Sequence, residues 1–154
     1  MKTLFASLAL LVSFAAVAAD DKKIYDESAN AQETVKAAIA AAKAQNKSAL
    51  VVFGANWCGD CKMLDMEMHQ GELAKLVNDK LVVVKVDVGR FDKNVAVAEQ
   101  FGNTLKKGIP TIAMVRADGS VAYQTNGGEL ADARKMGREG VTQFFGTMLE
   151  KAKK

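Results

Sequence analysis

Thiol chemistry in this 154-residue chain is confined to Cys58 and Cys61, its two cysteines, which stand with two residues between them. A Cys-x-x-Cys pair can serve several chemistries. A structural zinc site needs four ligands, and beyond the cysteines the chain offers one histidine, His69. Covalent haem attachment requires histidine directly after the second cysteine, where Lys62 stands instead. A purely stabilising cross-link is poorly motivated, because so short a loop removes little denatured-state entropy. What remains is disulfide exchange, in which one thiolate attacks a disulfide sulfur and a neighbouring thiol then displaces the product.

The flanking sequence supplies a setting for a reactive thiolate. Ala49-Leu50-Val51-Val52-Phe53 is a continuous apolar run of strand length, as expected of a strand covered on both faces. Gly54-Ala55-Asn56-Trp57 ends it. From Cys58 to about His69 only Gly59 disfavours helix, and Cys61, Leu64 and Met68 fall on one face. The cysteines therefore open a helix that follows a strand. Its unsatisfied N–H groups and positive dipole end stabilise a thiolate on Cys58.

The remaining elements alternate around this junction. A helix is predicted over about 30–45, with Asn30 and Glu33 as a capping pair. Gly71 interrupts, 73–78 continues helically, and Leu81 to Asp87 forms a second buried strand. A short helix at about 94–100 leads through a polar loop at 103–108 to Pro110, the chain's single proline. Strands at 111–115 and 121–124 are joined by the Asp118-Gly119 turn, and a terminal helix spans 129–151, weakened by Gly137, Gly140 and Gly146. No repeats or low-complexity segments interrupt this order.

The N-terminus has the layout of a cleavable export signal: Lys2, an apolar stretch from Leu4 to Val17 too short to span a membrane, then small residues before Asp20. Cleavage is expected after Ala19. That leaves a polar lead over 20–29 and one domain over 30–154, in a protein that is periplasmic or secreted. The net charge of +3 is spread in mixed sign along the chain, so nothing supports nucleic-acid binding, which needs a concentrated basic face.

Trp57-Cys58-Gly59-Asp60-Cys61-Lys62 after a buried strand, with Ile109-Pro110-Thr111 later, resembles the thioredoxin family. Lys85 and Asp87, Asp118-Gly119 and Gly127 match further family positions, and the similarity covers roughly 30–150. The resemblance implies an α/β fold with a central mixed sheet of about four strands flanked by helices. It implies a protein-disulfide oxidoreductase without metal or other cofactor, in which Cys58 attacks and Cys61 resolves. It further implies a cis Pro110 facing the sulfurs, an Ile109 backbone that pairs with an extended substrate peptide, and a Gly127 that admits the substrate backbone. Trp57 would join the docking surface, simple packing being its other reading. The implied partners are disulfide-containing proteins and a membrane thiol-transferring electron donor, and the implied state is a monomer. The chain has no room for the helical insertion of dedicated oxidases or the dimerisation domain of dedicated isomerases.

Two departures bear on the poise of the site. The buried acid that thioredoxins carry six residues before the first cysteine is Val52 here, which removes carboxylate assistance from Cys61. Lys85, without that acid, reads equally as a modulator of the site or as a chain that snorkels outward. Asp60 stands where thioredoxins have proline, and a carboxylate in the first helical turn offsets part of the stabilisation of a Cys58 thiolate. The expected Cys58 pKa is near about 7 or somewhat higher, which favours reduction of other disulfides. A rival reading is a non-enzymatic module that binds Cu(I) or protein, since Met63, Met66, Met68 and His69 crowd the same helix. Flexible core filling explains those methionines too.

Overall fold

A computed structural model of the protein describes residues 23–102 and 105–153. The expected signal over 1–19 and part of the expected 103–108 loop lie outside the described residues. The elements run α1 (Ala31–Ala44), β1 (Ser48–Gly54), α2 (Gly59–Met68), α3 (Gly71–Lys80), β2 (Leu81–Asp87), α4 (Val95–Gln100), β3 (Thr111–Val115), β4 (Val121–Gln124) and α5 (Ala133–Ala152). Four strands form one mixed sheet in the order β2-β1-β3-β4, with β1 parallel to β2 and antiparallel to β3. This is the thioredoxin-like α/β architecture expected from the sequence.

The continuous apolar run makes β1 the centre of the molecule. Alternate side chains of a strand point to opposite faces, and β1 has a hydrophobic layer on each. Val51 and Phe53 pack with α1 and α4, whereas Leu50 and Val52 pack with α2, α3 and α5. The entry to α1 is capped as its sequence predicts, Asn30 Oδ1 accepting from the Glu33 N–H at 3.3 Å.

Three stretches differ from the sequence-based expectation. Helix α3 is longer than the predicted 73–78 and begins at Gly71, whose φ of +58° turns the chain between two successive helices. Helix α5 starts at Ala133 rather than Glu129, because Ala131 and Ala133 donate to the carbonyls of Gly128 and Leu130 in tight turns. It also bends at Gly137, whose φ of 64° and ψ of −175° are not helical. The largest difference lies before α1. Residues 23–29 are no mere polar lead, for Tyr25 is only 2% exposed and belongs to the buried cluster that holds Phe53, Cys58 and Cys61.

Asn56 holds that segment in place. Its Oδ1 accepts from the backbone N–H of Ile24 and of Tyr25, each at 2.9 Å, and its Nδ2 donates to the Tyr25 carbonyl at 2.9 Å and to Glu27 at 2.8 Å. One side chain thereby satisfies both main-chain groups of Tyr25, which burial would otherwise leave unpaired. Among the described residues no helix is long and apolar enough to cross a membrane.

Phe145, fully buried on α5 against the β1 face that carries Leu50 and Val52, is a direct test of this packing. Phe145→Ala is expected to lower unfolding stability by about 3–5 kcal/mol, read from urea titrations at unchanged m-value.

Candidate active site

Cys58 is the N-cap of α2, with extended φ and ψ of −80° and 112°, and its Sγ accepts a hydrogen bond from the Cys61 N–H at 3.1 Å. The reactive atom thus occupies the place of a capping oxygen, where helix N–H groups favour negative charge. Cys58 and Cys61 are joined in a disulfide. Cys58 is 5% exposed and Cys61 1%, so a partner reaches the first sulfur before the second.

Pro110 sits across from this cap. Phe53 of β1 pairs with Thr111 of β3, which brings the residues before β3 against the chain that leaves β1. The Ile109–Pro110 peptide is cis, and the Ile109 carbonyl oxygen lies 3.6 Å from Cys58 Sγ. Gly127 follows β4, buried and at a φ of 90°, a conformation that side chains resist.

The surroundings of Asp60 change its expected effect. Its Oδ1 accepts from the Arg134 backbone N–H at 3.0 Å and from Arg134 Nε at 3.2 Å, and its Oδ2 from Nη2 at 3.1 Å. Burial alone would raise the Asp60 carboxyl, but the hydrogen bonds and charge of Arg134 outweigh it and hold the group below the ordinary carboxylate range. The guanidinium also lies over Gly59, within 3.1 Å of where a β-carbon would stand. Asp60 therefore brings a cation to the helix start together with its own negative charge, and its burden on a Cys58 thiolate is smaller than that of a lone carboxylate.

Lys85 does not snorkel freely. It stands opposite Val52 in the β1-β2 register and pairs with Asp65, a carboxylate that α2 supplies from the side. The acid absent at Val52 thus has a counterpart on another element. Beneath the sulfurs, Gly54 has no side chain where a β-carbon would collide with the Tyr25 hydroxyl and lie 2.8 Å from Cys61 Sγ.

Trp57 is 49% exposed, which rules out simple core packing. Its Nε1 donates to the Gly89 carbonyl at 2.8 Å, Phe91 meets its ring edge-on at 5.9 Å, and Arg90 lies 5.6 Å from the ring centroid. Phe91 is itself 43% exposed and adopts a φ of 67°, an unfavourable conformation for a bulky residue. The loop carrying it closes on the Val88 carbonyl, which accepts from the N–H groups of Phe91, Asp92 and Lys93. Of the methionines on this helix, Met68 is buried in the core and Met66 is exposed, and the His69 ring bonds the Asp65 carbonyl at 2.7 Å.

Sequence reasoning located the cysteines but missed Tyr25, Asn56, Phe91 and Arg134. An aromatic residue inside an otherwise polar lead was the available signal for Tyr25. Arg134 is 74 positions from Asp60 and nothing local marks it.

The comparisons with known proteins agree with this geometry. The model of a family described as thioredoxin-like matches residues 30–117. A thioredoxin of Mycolicibacterium smegmatis is 37% identical over 95 residues, covering 57% of this chain and 80% of that protein. Thioredoxin-1 of Drosophila yakuba is 44% identical over 50 residues, 32% of this chain, and this match spans 45% of that protein. Among solved structures, a disulphide isomerase from Xylella fastidiosa Temecula1 superposes with a TM-score of 0.79 at 44% identity, covering 83% of this chain and 98% of that one. The reduced C-terminal domain of DsbD from Neisseria meningitidis, at 22% identity and a TM-score of 0.54 over 75% of this chain and 95% of that one, shares the fold. The chain belongs to the thioredoxin-like family. With its Cys58-Cys61 pair, it is in general terms a thiol-disulfide oxidoreductase.

The Asp60–Arg134 pair makes a pH-dependent contribution to stability. A carboxyl that titrates lower in the folded state than in the unfolded state stabilises the fold above the unfolded pKa and loses that contribution as pH falls through the folded one. Arg134→Ala is expected to melt below the wild type at pH 7, and the two are expected to converge as pH falls from about 5 towards 2. Thermal melts across that range give the comparison.

Proposed function

We propose that this protein is exported and reduces disulfides in other proteins by cycling Cys58 and Cys61 between dithiol and disulfide. The observation that carries this reading is Cys58 itself: the more accessible sulfur of the pair, seated as a helix N-cap and bordered by exposed Trp57 and by the Ile109 carbonyl. A Cys58 thiolate attacks a substrate disulfide, forming a mixed disulfide and releasing one substrate thiolate. Cys61 then attacks Cys58 Sγ, restoring the internal disulfide and releasing the second. Rearrangement of wrong disulfides begins with the same attack, so the similarity to a protein described as a disulphide isomerase fits this chemistry.

Trp57, Ile109, Pro110 and Gly127 frame the approach of an extended substrate segment in this proposal. Phe91 and Arg90 widen the platform, and an exposed aromatic held in a strained loop suits contact with apolar side chains flanking a disulfide. In an oxidising compartment each turnover leaves the pair oxidised. A membrane protein that transfers thiol electrons would return it to the dithiol. The leader-like N-terminus supports export.

Insulin reduction with dithiothreitol as electron source tests the cycle. The wild type is expected to accelerate precipitation, and Cys58→Ser and Cys61→Ser to abolish it, with Cys61→Ser accumulating mixed disulfides on non-reducing gels. An inactive wild type that binds Cu(I) tightly would replace this reading with that of a metal carrier. Phe91→Ala is expected to lower kcat/KM for a protein disulfide roughly fivefold. It should leave the rate with a small aromatic disulfide unchanged, as measured by stopped-flow absorbance.

A further inference from the structure

Cys61 must become a thiolate to resolve the mixed disulfide, yet it is 1% exposed. Burial in an apolar environment disfavours the charged sulfur, and a hydrogen bond donated to it is a way to offset that penalty. Val52 supplies no polar group from β1. The Tyr25 hydroxyl and Cys61 Sγ instead border the same small space over Gly54, the hydroxyl so close that a β-carbon there would collide with it and the sulfur 2.8 Å from that point. The absent side chain of Gly54 and the four hydrogen bonds of Asn56 are what bring this phenol to the buried sulfur.

The geometry points to Tyr25 as the hydrogen-bond donor that stabilises the Cys61 thiolate during resolution of the mixed disulfide. This rests on the exchange reading of the cysteine pair. In the step, Cys61 gives up its proton to solvent and its thiolate accepts from Tyr25 Oη–H. The thiolate attacks Cys58 Sγ, the Cys58–Cys61 bond forms, and the bond from Cys58 to the substrate sulfur breaks. The departing substrate thiolate takes up a proton from solvent. Two electrons pass from the protein dithiol to the substrate disulfide, and the phenol keeps its proton throughout.

The charges around the phenol are consistent with a neutral donor. Burial, then the carboxylates of Asp65 from α2 and Asp87 from β2, push the Tyr25 hydroxyl well above its ordinary range. Asp65 is paired with Lys85, and Asp87 has Lys93 Nζ at 3.8 Å. The phenol therefore keeps its proton and is a donor.

The test reads Cys61 directly, in a Cys58→Ser background where it is the single thiol, by the pH profile of iodoacetamide alkylation in the full chain. Tyr25→Phe keeps the ring in its pocket and is expected to move the profile to higher pH. In the Cys58-containing protein it should slow release of product from a preformed mixed disulfide about tenfold at pH 7. Site-specific 3-fluorotyrosine at position 25, a stronger donor of the same shape, is expected to move the profile to lower pH, and it decides the matter if Tyr25→Phe does not fold. An alkylation profile unchanged by the fluorinated residue overturns the proposal. Because alkylation requires no turnover, it remains informative if insulin reduction fails, which would sink the exchange reading instead.

Discussion

The turn from β1 into α2 imposes the constraint on which the rest of the molecule depends. A helix begins with N–H groups that have no partner in the preceding turn, and here Cys58 Sγ accepts one of them, from Cys61 at 3.1 Å. The capping atom and the reactive atom are the same sulfur. Any charge that develops on it is met by the helix end, so the cap that fixes the backbone also favours the thiolate. For that sulfur to reach a partner, the strand before it must end at the edge of the core. The continuous burial of β1 up to Gly54, followed by Ala55-Asn56-Trp57, achieves this.

Around the junction, carboxylates are matched by cations from other parts of the chain. Asp60 meets Arg134, Glu67 meets Arg138, and Asp65 meets Lys85. The two arginine pairs, each with an exposed guanidinium, contribute modestly to stability, whereas Asp65–Lys85 is largely shielded on both sides; together the three tie α2 to α5 and to β2. Their electrostatic consequence reaches the sulfurs. A lone Asp60 would work against the helix dipole, whereas Asp60 bound to a guanidinium leaves more of that dipole available to Cys58.

The segment before α1 shows why a polar composition is a poor guide to the edge of a domain. Residues 23–29 carry charges that face solvent, yet Tyr25 is buried in the core beside Cys61. Burial of that stretch is possible because Asn56, from the loop after β1, satisfies the Tyr25 backbone on both sides. The loop that leads into the active site and the segment beneath it therefore form one unit.

The sequence by itself determined the features that are encoded over a few residues. The apolar run of β1, the Asn30-Glu33 cap, the Asp118-Gly119 turn and the placing of the cysteine pair at a strand-to-helix junction all follow from local spacing, and the structure has each of them. The single proline before β3 marked the other side of the site. Helix bounds were less legible: both glycines stand out in the sequence, but that Gly71 opens a helix and Gly137 bends one is decided by backbone conformations that their neighbours do not announce. What only the tertiary structure decided is which distant groups surround the sulfurs: Arg134 on Asp60, Asp65 on Lys85, Phe91 on Trp57, and Tyr25 under Cys61. Those contacts join positions up to 74 residues apart and depend on the packing of α5, β2 and the N-terminal segment around one strand. Local periodicity has no term for such neighbours, because they are chosen by shape and by the need to satisfy buried polar groups once the core has closed.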